Sequence, residues 1–339
     1  MKKFLVFTCM VASFAGCKNS DVTFPDFEYT SGYFPYQFPV RTLVLGDDIY
    51  DNTNDNAHRF VISVAMGGVY ENKQHRTFDI QVDESLCNQV VFYGNGQPIR
   101  PLPKSYYTLS SEDHIVIPKG EMNGGITVQL TDVFFEDPDA IHLNYVIPIR
   151  LMGSSDVDTI LNGRTSRPDA DIRFSGEWDE APKNFTMFGI KYINEFHGTY
   201  FQYGECTVKD ASGTIVDEQR YVADFVEQNA TAKLVTAGRY QVSTSLPFRS
   251  ELMEGPLNLL FSFDGNSCSV STPDNAPYVA SGSGEFKKDA YTWGNKPRNG
   301  LEVSYTVSDG IRSYEAKETF IVRDRGVAME LFTPQRALP

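Results

Sequence analysis

From His58 onward, hydrophobic and polar residues alternate along the chain. Phe60, Ile62, Val64 and Met66 fall on one side, and Phe78, Ile80 and Val82 interleave with Thr77, Asp79 and Gln81. A period of two sends successive side chains to opposite faces of a sheet, so half-buried strands are predicted here. Segments of the same kind run at 89–93, 106–109, 114–117, 125–131 and 143–151. Turn formers separate them: Gly67-Gly68, Gly94-Asn95-Gly96 and Asn123-Gly124-Gly125 supply the positive-φ positions of tight turns. Pro148 lacks a backbone donor and belongs on an edge or bulge. Short strands so spaced predict an immunoglobulin-like β-sandwich over residues 39–160.

Between 153 and 184 the apolar period disappears. Gly153-Ser154-Ser155-Asp156, Asn162-Gly163-Arg164 and Arg167-Pro168 are turn formers, which predicts a linker over 161–184 and a boundary near Thr165. Strands are expected again near 198–208, 214–223, 231–236, 239–244, 257–263, 267–272, 278–287, 300–307, 311–323 and 326–333. Leu257, Leu259, Phe261 and Phe263 share one face, as do Leu301, Val303, Tyr305 and Val307. The connections are short, through Ala237-Gly238, Gly265-Asn266 and Asp309-Gly310. Such a meander usually closes on itself, because closure removes exposed edges. The expected class is all-β, with a lipocalin-like β-barrel over 185–339; a second sandwich is the alternative. Helical spacing occurs at Met187, Ile190, Ile193 and Phe196, and it could equally lead into the first of these strands.

The N-terminus carries a different signal. Met1-Lys2-Lys3 precedes an apolar run from Phe4 to Ala15, followed by Gly16-Cys17. This is the layout of a signal peptide, too short for the roughly 20 residues of a spanning helix. Small residues before a cysteine match bacterial lipoprotein processing, with Phe14 where leucine is usual. In that reading residues 1–16 are removed and Cys17 is the acylated N-terminus of an arm at 17–38. Several acyl chains anchor stably where one is marginal. An ordinary secretory signal is the alternative. Loss of Lys2 and Lys3 leaves 28 basic against 44 acidic residues, a mature charge of −16. That balance argues against nucleic acid and anionic membrane surfaces as partners. Cys87, Cys206 and Cys268 then remain, without metal spacing, and buried free thiols are expected over a Cys206–Cys268 bridge.

Catalytic chemistry is sparse. His58, His75, His114, His142 and His197 show neither HxxxH nor HExxH spacing, and no nucleophile elbow, Walker loop or dinucleotide fingerprint occurs. Glycoside hydrolysis needs two carboxylates roughly 5–10 Å apart, and 44 acidic residues nominate no particular pair. No catalytic residue and no cofactor is assigned. Asp51 and Asp55 lie in the densest oxygen cluster and alternate as Ca²⁺ ligands would. The calcium loop's glycine and terminal glutamate are absent, so an Asx-turn loop explains the cluster as well. Trp178 and Trp293 are candidate glycan platforms, since sugar C–H faces stack on flat aromatics while neighbouring polar groups bind hydroxyls. Residues 291–299 read as a loop that interleaves the two kinds, which makes Tyr291, Trp293, Asn295 and Arg298 candidates. Trp293 could instead plug a barrel end, and Trp178 could cover the domain junction. Tyr200, Phe201 and Tyr203 alternate in a strand as core or as cavity lining.

Several stretches carry a family resemblance. Asp51 to His58 leads into Gly67-Gly-Val-Tyr-Glu-Asn72 and Val82-Asp-Glu-Ser-Leu86; Leu102-Pro, Tyr106-Tyr-Thr-Leu109 and Ile117-Pro-Lys-Gly120 follow. Together they resemble the immunoglobulin-like N-terminal domain of unknown function 1735. That domain occurs in surface lipoproteins of Gram-negative gut anaerobes and before the catalytic barrel of some family 18 endoglycosidases. Phe196-His-Gly-Thr-Tyr-Phe-Gln-Tyr-Gly204 and Thr319-Phe-Ile-Val-Arg-Asp-Arg325 resemble its lipocalin-like companion domain. The resemblance implies a polysaccharide-utilisation system, in which such lipoproteins bind glycan beside an outer-membrane importer complex. Asp158-Thr159-Ile160 resembles the O-glycosylation acceptor of those bacteria, with Thr159 as acceptor. The expectation is an outer-membrane, lipid-anchored glycan-binding protein without catalysis, facing the cell exterior. A small β-rich glycoside hydrolase, with paired carboxylates in the barrel, and a structural or assembly lipoprotein are the alternatives.

Overall fold

The computed structural model describes residues 27–274 and 276–338 and is all-β. The signal segment 1–16, Cys17 and the arm as far as residue 26 lie outside the described residues. The first strands are β1 (Ser31–Tyr33), β2 (Pro39–Val44), β3 (Arg59–Gly67), β4 (Arg76–Val82), β5 (Val90–Phe92) and β6 (Arg100–Pro101). They are followed by β7 (Tyr107–Leu109), β8 (His114–Ile117), β9 (Asn123–Leu130), β10 (Tyr145–Gly153), β11 (Thr159–Ile160) and β12 (Phe185–Ile193). One sheet runs β11-β1-β3-β9-β7 and the other β2-β12-β10-β4-β8, with β6 beside β10. The alternating residues do what their period predicts. Phe60, Ile62, Val64 and Met66 meet Phe78, Ile80, Ile147 and Ile149 in one buried core.

The second sheet is covered on its other face too. Leu86, Val90, Phe92 and Ile99 pack there with Val146, Phe185 and Met187. A strand buried on both faces has no polar side to alternate with. This is why β12 shows helical spacing although it is a strand. It lies between β10 (Tyr145 opposite Ile190, antiparallel) and β2 (Val40 opposite Gly189, parallel). The expected barrel start at 185 is therefore corrected: Phe185–Ile193 is an inner strand of the sandwich. The segment 161–184 is not an open linker either. Phe34 N–H donates to the Lys183 carbonyl, Arg164 bridges to Glu180, and Ile172 and Phe174 pack on the sandwich. Thr159 sits in β11 opposite Ser31, its hydroxyl donating to the Ile160 carbonyl at 3.1 Å. Pro148 lies in the inner strand β10 rather than on an edge. Its carbonyl accepts from Asp83 N–H just past the end of β4, and the Asp83 carbonyl, which a donor at 148 would meet, accepts from Leu86 N–H instead.

The second half closes into an eight-stranded barrel. The ring is made of β13 (Gly198–Lys209), β15 (Ala230–Gly238), β16 (Gln241–Pro247), β17 (Pro256–Asp264), β18 (Ser267–Ser271), β19 (Val279–Trp293), β20 (Lys296–Ser308) and β21 (Ser313–Asp324), with β14 (Ile215–Tyr221) as a ninth strand added to β13. Each pairs with the next in sequence order, except that β14 and β15 share one edge of β13. The circle closes where β13 meets β21, from Thr199 opposite Asp324 to Lys209 opposite Ser313. Tyr200, Leu234, Val242, Leu259, Phe261, Leu301, Val307, Tyr314 and Phe320 are wholly buried and fill the interior. The barrel is packed with side chains, as small barrels are. Tyr200 is therefore core rather than cavity lining. Cys206 and Cys268 are buried free thiols, as is Cys87.

The last expected barrel strand, 326–333, is corrected as well. After β21 the chain leaves the barrel and returns to the sandwich. There β22 (Glu330–Leu331) pairs with β2, β23 (Pro334–Arg336) pairs with β5, and Phe332 enters the core beside Phe92. The sandwich thus uses chain from both sides of the barrel.

Candidate functional site

The β19–β20 hairpin is longer than its neighbours, and its register slips. Lys287 faces Gly300 and Tyr291 faces Arg298, which leaves residues 288–290 opposite Asn299 alone. Extra residues on one strand bend it and re-aim its side chains. Asp289, in this bulge, has a φ of +50°, a conformation uncommon for a residue with a side chain. Its N–H donates to Asn299 Oδ1 at 2.9 Å. The expected loop at 291–299 is corrected to the end of this hairpin. Gly294 and Asn295 turn it with φ of +59° and +58°, the paired positive values of a type I′ turn.

The bent tip lies along the outside of the barrel. Trp293 Nε1 donates to the Val322 carbonyl at 2.9 Å, and its ring meets the Phe201 ring edge-on at 5.3 Å. Phe201 points away from the barrel interior yet is buried, because Trp293 covers it. Trp293 neither plugs a barrel end nor offers a bare face: the Arg298 guanidinium lies 4.3 Å from its ring centroid. Arg298 Nε is buried without a hydrogen-bond partner. Tyr291 donates to Glu302 Oε1 at 2.5 Å, and burial followed by that carboxylate pushes its phenol upward. Asn295 stands exposed at the turn.

The sandwich supplies the opposite wall. Arg325, itself buried, donates to the Leu45, Asp47 and Asn194 carbonyls and so fixes the loop after β2 against the barrel. Further along this loop, Asn52 Nδ2 donates to the Val44 and Gly46 carbonyls. Asp51 accepts from the Thr53 hydroxyl and N–H, which lower its pKa. Asp55 is buried against Arg41 and accepts Val44 N–H at 3.0 Å. Both calcium candidates are thus engaged by protein donors, and the Asp/Asn run is a set of side-chain-to-backbone turns.

Between the walls lies a cleft of about 410 Å³, within the range of ligand pockets. Asp47, Asp48 and Ile49 form one side; Asp289, Pro297, Arg298 and Asn299 form the other; Val322 to Arg325 make the floor. Asn299 Nδ2 and Lys288 Nζ reach across to Asp47 Oδ2, each at 3.3 Å. A second recess of about 340 Å³ shares Asp48, Ile49, Asp324 and Arg325 and extends past Tyr50, a residue 74% exposed. Of the sequence candidates, Arg298 lines the cleft and Trp293 braces it. Trp178 is elsewhere, half-buried in its own loop with Nε1 donating to the Asp171 carbonyl at 2.9 Å. Sequence reasoning missed Asp289, Asn299, Arg323 and Arg325 as site residues. Arg323, Arg325 and Asn299 fell within stretches already singled out, but nothing in the sequence marks the bulge.

A second polar cluster is sealed inside the barrel. Gln202 Nε2 and the Tyr221 hydroxyl donate to Glu318 Oε1 at 2.7 and 2.5 Å, and the Tyr305 hydroxyl donates to Oε2 at 3.0 Å. Burial pushes the Glu318 carboxyl above its ordinary range, opposed by these hydrogen bonds and by Arg249. No second carboxylate joins this cluster among the described residues, and no group of metal-ligating side chains is found among them.

Residues 27–158 match a family model described as a "-like, N-terminal domain", and residues 195–326 match the domain of unknown function DUF5627. Curated proteins provide no match. Among solved structures, a Bacteroides ovatus protein of unknown function is 34% identical, with a TM-score of 0.85 over 91% of this chain and 100% of its own. A B. ovatus multidomain protein including DUF1735 is 10% identical with a TM-score of 0.44, over 88% and 97% of the two chains. An auxiliary nutrient binding protein from Bacteroides thetaiotaomicron is 13% identical with a TM-score of 0.38, over 86% and 95%. The first of these spans both halves at an identity that marks common descent, and this chain belongs to the family of that B. ovatus protein.

Proposed function

We propose that this protein is a surface lipoprotein of a polysaccharide-utilisation system that binds complex carbohydrate in the junction cleft, without catalysis. The observation that carries this reading is the cleft wall formed by the bulge. There Asp289 and Asn299 stand beside Arg298, and Trp293 holds the guanidinium in place. Acceptors and donors set side by side in a recess suit a polyhydroxylated ring, with Tyr50 exposed at the next subsite. The resemblance of Ala15-Gly16-Cys17 to a lipoprotein processing site supports anchoring through Cys17. An outer-membrane glycan importer is the expected partner.

Affinity electrophoresis in gels cast with polysaccharides tests the ligand. Arg298→Ala and Asn299→Ala are each expected to weaken retardation about tenfold, roughly 1.4 kcal/mol, with little change in melting temperature. Unchanged retardation in both variants would remove the cleft from the reading. Anchoring is tested in cells. Cys17→Ala is expected to abolish palmitate labelling and release the protein from the membrane fraction, and persistent labelling would exclude lipidation at this residue.

A further inference from the structure

We infer that the glycan held in the junction cleft is uncharged, an inference that rests on the glycan-binding reading above. Four carboxylates line the cleft, Asp47, Asp48, Asp289 and Asp324, against three guanidiniums, Arg298, Arg323 and Arg325. Several of these charges are already spent. Asp47 pairs with Lys288 at 3.3 Å and Asp324 with Arg323 at 3.4 Å, while Arg325 gives its donors to three backbone carbonyls and keeps its charge, which Asp48 faces. With Lys288 the cleft's four cations balance its four carboxylates, leaving no excess charge to attract an ion. Asp48 and Asp289 on one hand, and Arg298 on the other, enter no ion pair among the described residues. The cleft therefore offers strong acceptors and a strong donor within one recess.

A sugar hydroxyl donates and accepts at once, so a ring in the cleft can accept from Arg298 and donate to a neighbouring carboxylate. A carboxylate or sulfate only accepts. An anionic group drawn to Arg298 would be set beside Asp48 and Asp289, and like charges brought together in a recess are disfavoured. The mature charge of −16 adds a field of the same sign against any polyanion. The bulge fixes Asp289 at positive φ, with its N–H donating to Asn299 Oδ1, so its carboxylate has a set place in the cleft wall.

The test uses the whole chain from residue 18 in affinity gels of two kinds. Galactomannan, xyloglucan and arabinan are the uncharged polymers; polygalacturonate, alginate and chondroitin sulfate are the charged ones. Retardation is expected in at least one uncharged gel and to survive about 0.5 M salt, since no ion pair to ligand is screened. The double variant Asp48→Asn, Asp289→Asn, checked for an unchanged melting temperature, is expected to bind about tenfold more weakly, because charge-assisted hydrogen bonds are lost. Binding to polygalacturonate that disappears on its methyl esterification would overturn the inference and leave the glycan-binding reading intact. Equal retardation by both kinds, or undiminished binding in the double variant, would also overturn it. Retardation by no polymer of either kind would overturn the glycan-binding reading itself, and the inference with it.

Discussion

A fragment of residues 27–163 is expected to remain unfolded, whereas residues 194–326 alone are expected to give a β-type circular dichroism spectrum and a cooperative melt. The first fragment ends before β12, which in the whole protein separates β2 from β10. Its loss strips hydrogen bonds from two inner strands at once. It also removes Phe185, Met187, Ile190 and Ile193, all buried, at about 1.5–3 kcal/mol each. That is roughly 6–12 kcal/mol against a typical total stability of about 5–15 kcal/mol. The fragment further lacks Phe332, which closes the outer core from the far end of the chain. The barrel is differently placed, because every rung of its wall lies between Gly198 and Asp324. A cooperative melt in 27–163 would show that β12 is dispensable and would restore a boundary near Thr165.

What the sequence revealed, and what it hid, follows from burial. Many strands with one wet face were legible, several of them to within a residue or two. Phe60–Met66 and Leu257–Phe263 are examples, now β3 and β17. β12 was not, because both of its faces are dry and its hydrophobic residues fall at no particular period. The return of the tail was hidden for another reason. Glu330 and Leu331 are exposed and make their pairing through the backbone, which any sequence supplies. At the site, residue type was readable and geometry was not. Trp293 and Arg298 stood out as a ring and a cation near each other, and they do meet. That the cation would occupy the ring's face depends on a register slip of the hairpin, and Asp289 carries no side-chain signature of that slip. The barrel interior shows the same limit. Glu318 alternates with Ala316 and Phe320 on the inward face, where an acid is not expected, and only its neighbours on other strands explain it.

Glu318→Ala is expected to cost about 3–5 kcal/mol, the scale of removing one member of a buried polar network. The substitution leaves Gln202 Nε2 and the hydroxyls of Tyr221 and Tyr305 facing a space lined by core side chains, with no acceptor in place of the carboxyl. Arg249, which donates to Gln202 Oε1 at 3.0 Å and lies over the Tyr221 ring, loses its support in turn. Glu318→Gln keeps the shape and offers an amide to the same partners, so its cost at low pH is expected to be small. The two variants then part with pH. Because burial raises the folded pKa above the ordinary 4.5, the folded protein holds this proton over a window in which the unfolded chain has released it. Stability from this group is full below about 4.5 and falls as pH rises through the window up to the folded pKa. The wild type should therefore lose stability along that limb, and Glu318→Gln, with nothing to ionise, should not. Denaturant midpoints of both proteins from pH 4 to pH 8 measure this directly, with wild type minus glutamine variant falling as pH rises. A difference that stays flat, or that grows in favour of the wild type, would mean that the three donors and Arg249 hold Glu318 ionised at no net cost. The barrel would then contain a buried anion at its centre rather than a buried acid.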